Sequence, residues 1–399
     1  MPMMTLTLLL DLDDTLLNTN LQAFIPAYFQ ALSKELTPHA APELMIRALL
    51  AGTNLMNTSE DFSRTLETVF NSEFYPRLNL PKSELEPAIE YFYDNVFPNL
   101  GGLTTQVADA KKIVEWAIAK GYRIAIATDP LFPSKATFHR LRWAGFDPQQ
   151  FEIISTFEQF HFTKTHSAYY AEVLGRMGWP EGPVLMVGND LERDIAPAKK
   201  LGLAAFHVDV ESTPSLNEEA QPRGSLSDLI GWLESIDHAS LMPSFKTMDS
   251  VLALLAATPA TLNGLLSELD ALAWSRKTTH DDWSLTELIC HLRDTEREIH
   301  HMQIGLFREQ SEPFIPRPDT SIWASQRDYL HEDGALALKE FNDARRETLD
   351  LLKDIAKADW ERKARHAIFG PTNFLEVISF IADHDRMHVQ QAWAALRKM

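Results

Sequence analysis

Two successive architectures are expected from this chain. The first is an α/β domain on a parallel sheet with an inserted helical cap, and the second is an all-α four-helix bundle. Three observations predict them. Short apolar runs alternate with amphipathic helical stretches as far as residue 237. A helical tract without strand signals, residues 18–98, interrupts that alternation after the first run. From 248 to 399 the periodicity is helical throughout. A length of 399 residues also exceeds one ordinary core.

In order, strands are expected at 5–11, 123–128, 152–155, 183–187 and 203–208. Each is short and apolar, as buried parallel strands are, and helical patterns such as DAKKIVEWAIAKG and SAYYAEVLGRMG lie between them. Ligands of such sheets bind at the C-terminal strand ends. The polar stretch 211–225 carries turn residues, and a helix over 226–237 closes the first domain. The expected domains are therefore 1–237, a linker at 238–247, and 248–399. In the last of these, Thr258-Pro259 reads as an N-cap with proline in the first turn. Ser284 to Glu287 reads as a capping box, Gly334 precedes a long amphipathic stretch, and Asn373 to Glu376 opens the final helix. The Pro-rich loop 311–320 is expected to cover one bundle end.

Net charge is -19, from 37 basic and 56 acidic side chains. That disfavours general binding to nucleic acid or anionic membranes. No run of 18 apolar residues implies a membrane span. The leading MPMMTLTLLLD lacks a basic leader and runs straight into an acidic motif, so it reads as a core strand. A single cysteine, Cys290, excludes an intrachain disulfide framework and fits a reducing cytoplasm.

Asp11 and Asp13 stand where the first strand ends, in DLDDTLLNT. Two carboxylates so placed can share one phosphoryl group. Thr128 (IAIATDP), Lys164 (HFTKTHS) and Asn189, Asp190 and Asp194 (VGNDLERDI) follow at later strand ends or loops. Singly, Asp13, Asp14 or Thr128 would serve as turn caps, and Asp194 as a helix cap. Together, over residues 5–237, the four stretches resemble the haloacid dehalogenase-like (HAD) hydrolase superfamily, whose core is a Rossmann-like sheet.

The resemblance implies Asp11 as nucleophile, Asp13 as acid and base, Thr128 as phosphate binder and Lys164 as a balancing charge. It also implies Mg²⁺ on the Asp11 carboxylate, the Asp13 carbonyl and a carboxylate of the last motif. Asn189 stands where the family commonly has Asp. Asp190 is therefore the expected ligand, with Asp194 as ligand or supporting partner, although the Asn189 amide oxygen can also ligate. Thr165 replaces a frequent proline. Halide leaves without a proton but an alcohol does not, so the second acid favours a phosphatase over a dehalogenase. A small phosphorylated metabolite is the expected substrate.

His384 and His388 are spaced to share one helix face, and His291 lies on another predicted helix. Three converging imidazoles can bind Zn²⁺, Ni²⁺, Fe²⁺ or Mn²⁺. WSLTELICHL and DHDRMHVQQ resemble the DinB/YfiT-like superfamily of metal-binding four-helix bundles over 248–399, and the resemblance maps the three ligands onto these histidines. Glu287 is explained by its cap, and Cys290 reads as core. His300, His301, His331 and His366 read as surface histidines, and Trp283, Trp323, Trp360 and Trp393 as packing. The bundle is expected to act as a metal-dependent transferase or hydrolase, or as a noncatalytic sensing module or homodimer interface.

Overall fold

The computed structural model describes residues 5–209, 213–216, 221–277, 279 and 282–398. The chain divides into two compact units, Met1–Val173 with Pro180–Pro243, and Leu174–Trp179 with Ser244–Met399.

In the first unit β1 (Thr7–Leu10) leads to β2 (Leu17–Thr19) and the cap helices α1 (Leu21–Leu36), α2 (Pro42–Thr58), α3 (Leu66–Leu78) and α4 (Lys82–Tyr91). After β3 (Thr104–Gln106) come α5 (Ala110–Ala119), β4 (Arg123–Ile126), α6 (Ser134–Trp143), β5 (Ile153–Ile154), α7 (Ser167–Arg176) and β6 (Val184–Gly188). The unit closes with α8 (Ala196–Leu201), β7 (Ala204–Val208), β8 (Arg223–Gly224) and α9 (Leu226–Ser235).

The main sheet runs β5-β4-β1-β6-β7-β8, with every neighbouring pair parallel. Its central strand, TLLL, is buried at all four positions, as a sheet covered on both faces requires. Leu10 lies level with Ile126 on one side and Val187 on the other. The residues that follow those three therefore emerge at one edge of the sheet. A two-stranded antiparallel ribbon, β2 with β3, carries the chain out to the cap and back. The cap has its own core, including Phe24, Tyr28, Phe74, Phe92 and Phe97. β8 forms inside the stretch read as a polar loop, part of which lies outside the described residues.

The second unit holds α10 (Met248–Leu266), the short α11 (Ala271–Trp274), α12 (Leu285–Thr295) and α13 (His301–Glu309). A π turn, Glu296–His300, joins the last two into one rod. β9 (Phe314–Ile315), α14 (Trp323–Gln326), α15 (Gly334–Lys353), β10 (Lys363–His366), β11 (Gly370–Asn373) and α16 (Phe374–Leu396) follow. α10, α12–α13, α15 and α16 are the four rods of the bundle. α10 is apolar enough in composition to cross a membrane, but 67% of that window is buried within the protein.

Two expectations change here. Strands do form in this unit: β10 pairs antiparallel with β11 and parallel with β9. Their sequences, KARH, GPTN and FI, carry no apolar alternation, so the pairing is a product of tertiary contact. The Pro-rich loop supplies β9. The second change concerns Thr258-Pro259, which does not open a helix. α10 begins eleven residues earlier at a Thr247–Ser250 capping box, and Pro259 lies inside it. The caps expected at Ser284–Glu287 and Asn373 are present.

Pro259 has no N–H to give the carbonyl four residues back. That carbonyl, Leu255 O, instead accepts from Arg345 Nη1 at 3.0 Å. Arg345 is wholly buried. Its Nε and Nη2 donate to Glu296 at 2.8 Å each, and Nη1 and Nη2 donate to Asp385 at 2.5 and 3.2 Å. One guanidinium thus ties all four rods. Arg345→Met leaves two buried carboxylates without their cation and is expected to remove about 3–5 kcal/mol of bundle stability. Urea unfolding of the bundle signal measures this. Arg345→Lys recovers only part of the loss, because an ammonium lacks the bidentate fork.

Candidate catalytic and metal sites

β1 ends one residue before Asp11, whose N–H donates to Val187 O at 2.9 Å. The carboxylate is buried, and Lys164 Nζ donates to its Oδ1 at 2.6 Å. The same ammonium contacts Asp194 Oδ1, so one buried cation sits between two buried carboxylates. Burial opposes the Lys164 charge, but Asp11 and Asp194 outweigh it and hold its pKa well above the ordinary value. Asp11 itself is pushed up to about 7, by burial first and by Asp194 next, with Lys164 acting the other way. That carboxyl is poised to gain from a further cation.

A place for one is present. Thr15 Oγ1 donates to Asp11 Oδ2 at 2.8 Å. The Asn189 side-chain amide lies 3.1 Å from Asp13 O and 3.2 Å from Asp11 Oδ2. With its nitrogen inward it donates to both. With its oxygen inward, the amide sets an oxygen 3.1 and 3.2 Å from those two, close to the edge of an octahedral Mg²⁺ shell, about 2.9 Å. The donor set therefore fits Mg²⁺ through Asp11, the Asp13 carbonyl and Asn189.

Asp190, the expected ligand, does not face this point. Its Oδ1 accepts from Glu192 N at 2.8 Å and Arg193 N at 3.1 Å, capping the turn after β6. The open N–H groups of that turn claim the carboxylate. Asp194 is buried, and its Oδ2 accepts from Asp190 N at 3.0 Å. Gly188 is required here, since a Cβ would collide with Asp194 Oδ2.

Asp13 turns its carboxylate toward neighbours other than Asp11. Its Oδ1 accepts from Thr19 Oγ1 at 2.9 Å, and its Oδ2 pairs with Arg140. Arg140 is buried, its guanidinium stacked 4.8 Å over the Phe132 ring. Thr128 is buried past β4, with its carbonyl accepting from Ser155 Oγ at 2.6 Å and Tyr169 OH at 2.8 Å. Arg193 joins Asp129 to the cap through Asn57 Oδ1 at 2.9 Å. Sequence reading missed Thr15, Thr19, Arg140 and Arg193. Thr15 stood inside the quoted acidic motif and could have been found, whereas Arg140 lies on α6 with no local signal.

In the bundle, α12 supplies His291, and α16 supplies His384 and His388. His384 Nε2 lies 3.1 Å from Nε2 of each of the other two. Burial lowers the pKa of all three imidazoles, pushing His291 down to about 3. Neutral rings with three Nε2 atoms converged at this spacing fit a metal with M–N bonds of about 2.0–2.1 Å. His388 Nδ1 donates to Gln391 Oε1 at 2.8 Å, which leaves its Nε2 lone pair inward. The triad borders a cavity of 780 Å³.

Trp283, expected as packing, lines that cavity and stacks on His388 with ring planes 5° apart. His300, expected at the surface, is buried with Nδ1 donating to Glu296 Oε2 at 2.8 Å. His366 is buried too, and its Nδ1 accepts from two backbone N–H groups at 3.2 and 3.3 Å. Cys290 is core as expected, its thiol pushed up to about 12 by burial. Glu287 is occupied by its cap and by Lys277 at 2.8 Å.

Residues 5–202 match the family model of haloacid dehalogenase-like hydrolases, and residues 254–392 match that of the DinB superfamily. The chain joins a haloacid dehalogenase-like hydrolase domain to a DinB-superfamily domain. No curated protein matches it. Among solved structures it is similar to a HAD phosphatase from Thermococcus onnurineus, at 21% identity over 58% of this chain and 98% of that one, with a TM-score of 0.38. It is similar to a 2-haloacid dehalogenase from Pseudomonas syringae pv. Tomato DC3000 at 20% identity, over 58% of this chain and 99% of that one, with a TM-score of 0.43. YfiT from Bacillus subtilis, a probable metal-dependent hydrolase with an unusual four-helix bundle topology, shares 16% identity over 39% of this chain and 89% of its own, with a TM-score of 0.36. Likenesses this distant decide neither substrate nor metal.

The DinB-superfamily triad carries a pH consequence. In the metal-free fold these imidazoles resist protonation, whereas in the unfolded chain they protonate near pH 6.5. The unfolded state therefore binds more protons below that pH, and stability falls as pH falls. Urea midpoints of the metal-free protein are expected to drop between pH 7 and pH 5. The drop should be smaller in His291→Gln.

Proposed function

We propose that the hydrolase domain is a Mg²⁺-dependent phosphatase, cleaving a small phosphomonoester through an aspartyl-phosphate on Asp11. The observation that carries this reading is the convergence of Asp11, Lys164 and Asp194 beside the oxygens of Asp13 and Asn189. An Asp11 oxygen attacks phosphorus as the ester P–O bond breaks, and the leaving alkoxide takes a proton from the Asp13 carboxyl. The Asp13 carboxylate then accepts a proton from water. That water attacks the phosphoryl group, freeing Asp11 and inorganic phosphate. Lys164 and the Thr128 hydroxyl balance and orient the phosphoryl oxygens. Mg²⁺, when bound, neutralises charge on the transferred group. Thr19 and Arg140 set the orientation of Asp13.

For the DinB-superfamily domain we propose a divalent transition metal, Zn, Ni, Fe or Mn, on His291, His384 and His388. The cavity above the triad favours a metal-dependent transferase or hydrolase activity there over a noncatalytic module.

Phosphate release from a panel of phosphomonoesters tests the first reading. Asp11→Asn is expected to lower turnover by about a thousandfold or more, and chelation of Mg²⁺ to abolish it reversibly. An Asp11→Asn protein with full turnover would refute it. Metal analysis of the full-length protein tests the second. One transition-metal ion per chain is expected, with loss of it in His384→Ala.

A further inference from the structure

Within the hydrolase domain, the cap encloses a cavity of 410 Å³ against the loops that follow β4 and β5. Its floor starts at Leu131, three residues past Thr128. Phe132, in that floor, stacks under Arg140, and Arg140 holds Asp13. A single side chain therefore separates the cavity wall from the acid–base carboxylate. The cap is tied down beside it, with Leu66 N donating to Phe160 O at 2.8 Å and Glu67 N to Phe157 O at 2.9 Å. Packed cores leave few voids larger than a water molecule. A space of this volume is instead in the range of a ligand site.

The lining is dominated by rings and aliphatic chains, among them Tyr28, Phe29, Phe70, Phe74 and Leu49. Its polar groups are largely engaged already. The Tyr28 and Tyr93 hydroxyls bond each other at 2.9 Å, and the Ser134 hydroxyl donates to Glu158 at 3.1 Å. Lys82 pairs with Glu67 at 2.8 Å and Glu86 at 3.6 Å, and Lys135 pairs with Glu90 and with Asp94 at 2.8 Å. The charged lining residues are four glutamates against those two lysines. A second phosphate or a carboxylate would meet net negative charge. Sugar hydroxyls would surrender water for an apolar wall.

We infer that the leaving alcohol of the phosphomonoester is a bulky apolar group, aromatic or branched hydrocarbon, seated in this cap cavity. The inference rests on the phosphatase reading, because that reading supplies the reacting phosphate.

Two measurements on the full-length protein separate the claims. In the first, kcat/KM is compared for 2-naphthyl and 2-ethylhexyl phosphate against glycerol 3-phosphate and phosphoglycolate. The apolar esters are expected to lead by at least about tenfold. Ile25→Trp and Thr53→Phe, both at half-buried positions of the lining, should narrow that lead by lowering kcat/KM for the apolar esters. In the second, binding of non-hydrolysable 2-naphthyl phosphonate is followed by fluorescence and should weaken in the same two variants. Equal or faster cleavage of the polar esters overturns the inference and leaves the phosphatase standing. Failure of the phosphonate to bind also overturns it. No hydrolysis of any ester, with phosphonate binding that weakens in both variants, removes the phosphatase reading while the cavity assignment survives.

Discussion

A buried cation needs partners that replace its hydration, and in both halves of this protein carboxylates supply most of that replacement. In the hydrolase domain the Lys164 ammonium lies between Asp11 and Asp194. In the DinB-superfamily domain the Arg345 guanidinium lies between Glu296 and Asp385. Each arrangement leaves one more negative than positive charge among the three groups named. In the first, the Asn189 amide lies 3.2 Å from Asp11 Oδ2 and 3.1 Å from the Asp13 carbonyl. In the second, His300 sits on Glu296, and Asp385 follows His384 of the imidazole cluster directly in α16. Breaking either cluster strands a buried charge, so neither can be varied one residue at a time.

Backbone geometry delivers these groups. Parallel registry sets Leu10 level with Ile126 and Val187, so the residues beyond all three strands leave the sheet together. The bundle uses a helix defect for the same end. Pro259 withholds an N–H inside α10, and Arg345 takes the freed Leu255 carbonyl. A residue that would ordinarily weaken a helix here supplies an acceptor to a buried guanidinium.

The two sites also differ in donor chemistry. The hydrolase site offers carboxylate, carbonyl and amide oxygens, which suit a hard ion. The bundle site offers three neutral imidazoles, which suit a transition metal. Burial maintains the second site by keeping its rings unprotonated. Held within one chain, the two donor sets need not compete for the same ion.

From the sequence alone, both architectures could be read, because strand and helix periodicities are local properties of burial. So could Asp11, Lys164, Asp194 and the three histidines, since their spacing and strand-end context are visible in one dimension. Arg345 was also within reach, lying on the buried stripe of α15 with Phe341, Thr348 and Leu352. Other features needed the folded chain. The engagement of Asp190 depends on the turn after β6, whose N–H groups take its carboxylate. The role of Arg140 depends on α6 passing beside Asp13, 127 residues away in sequence. The N-caps at Ser284 and Asn373, written in neighbouring residues, were legible; the Thr247 cap of α10, the pairing of β9, β10 and β11 and the partners of His300 and His366 were not. Those contacts join segments whose separation along the chain says nothing about their distance in space, and only packing decides which side chain meets which.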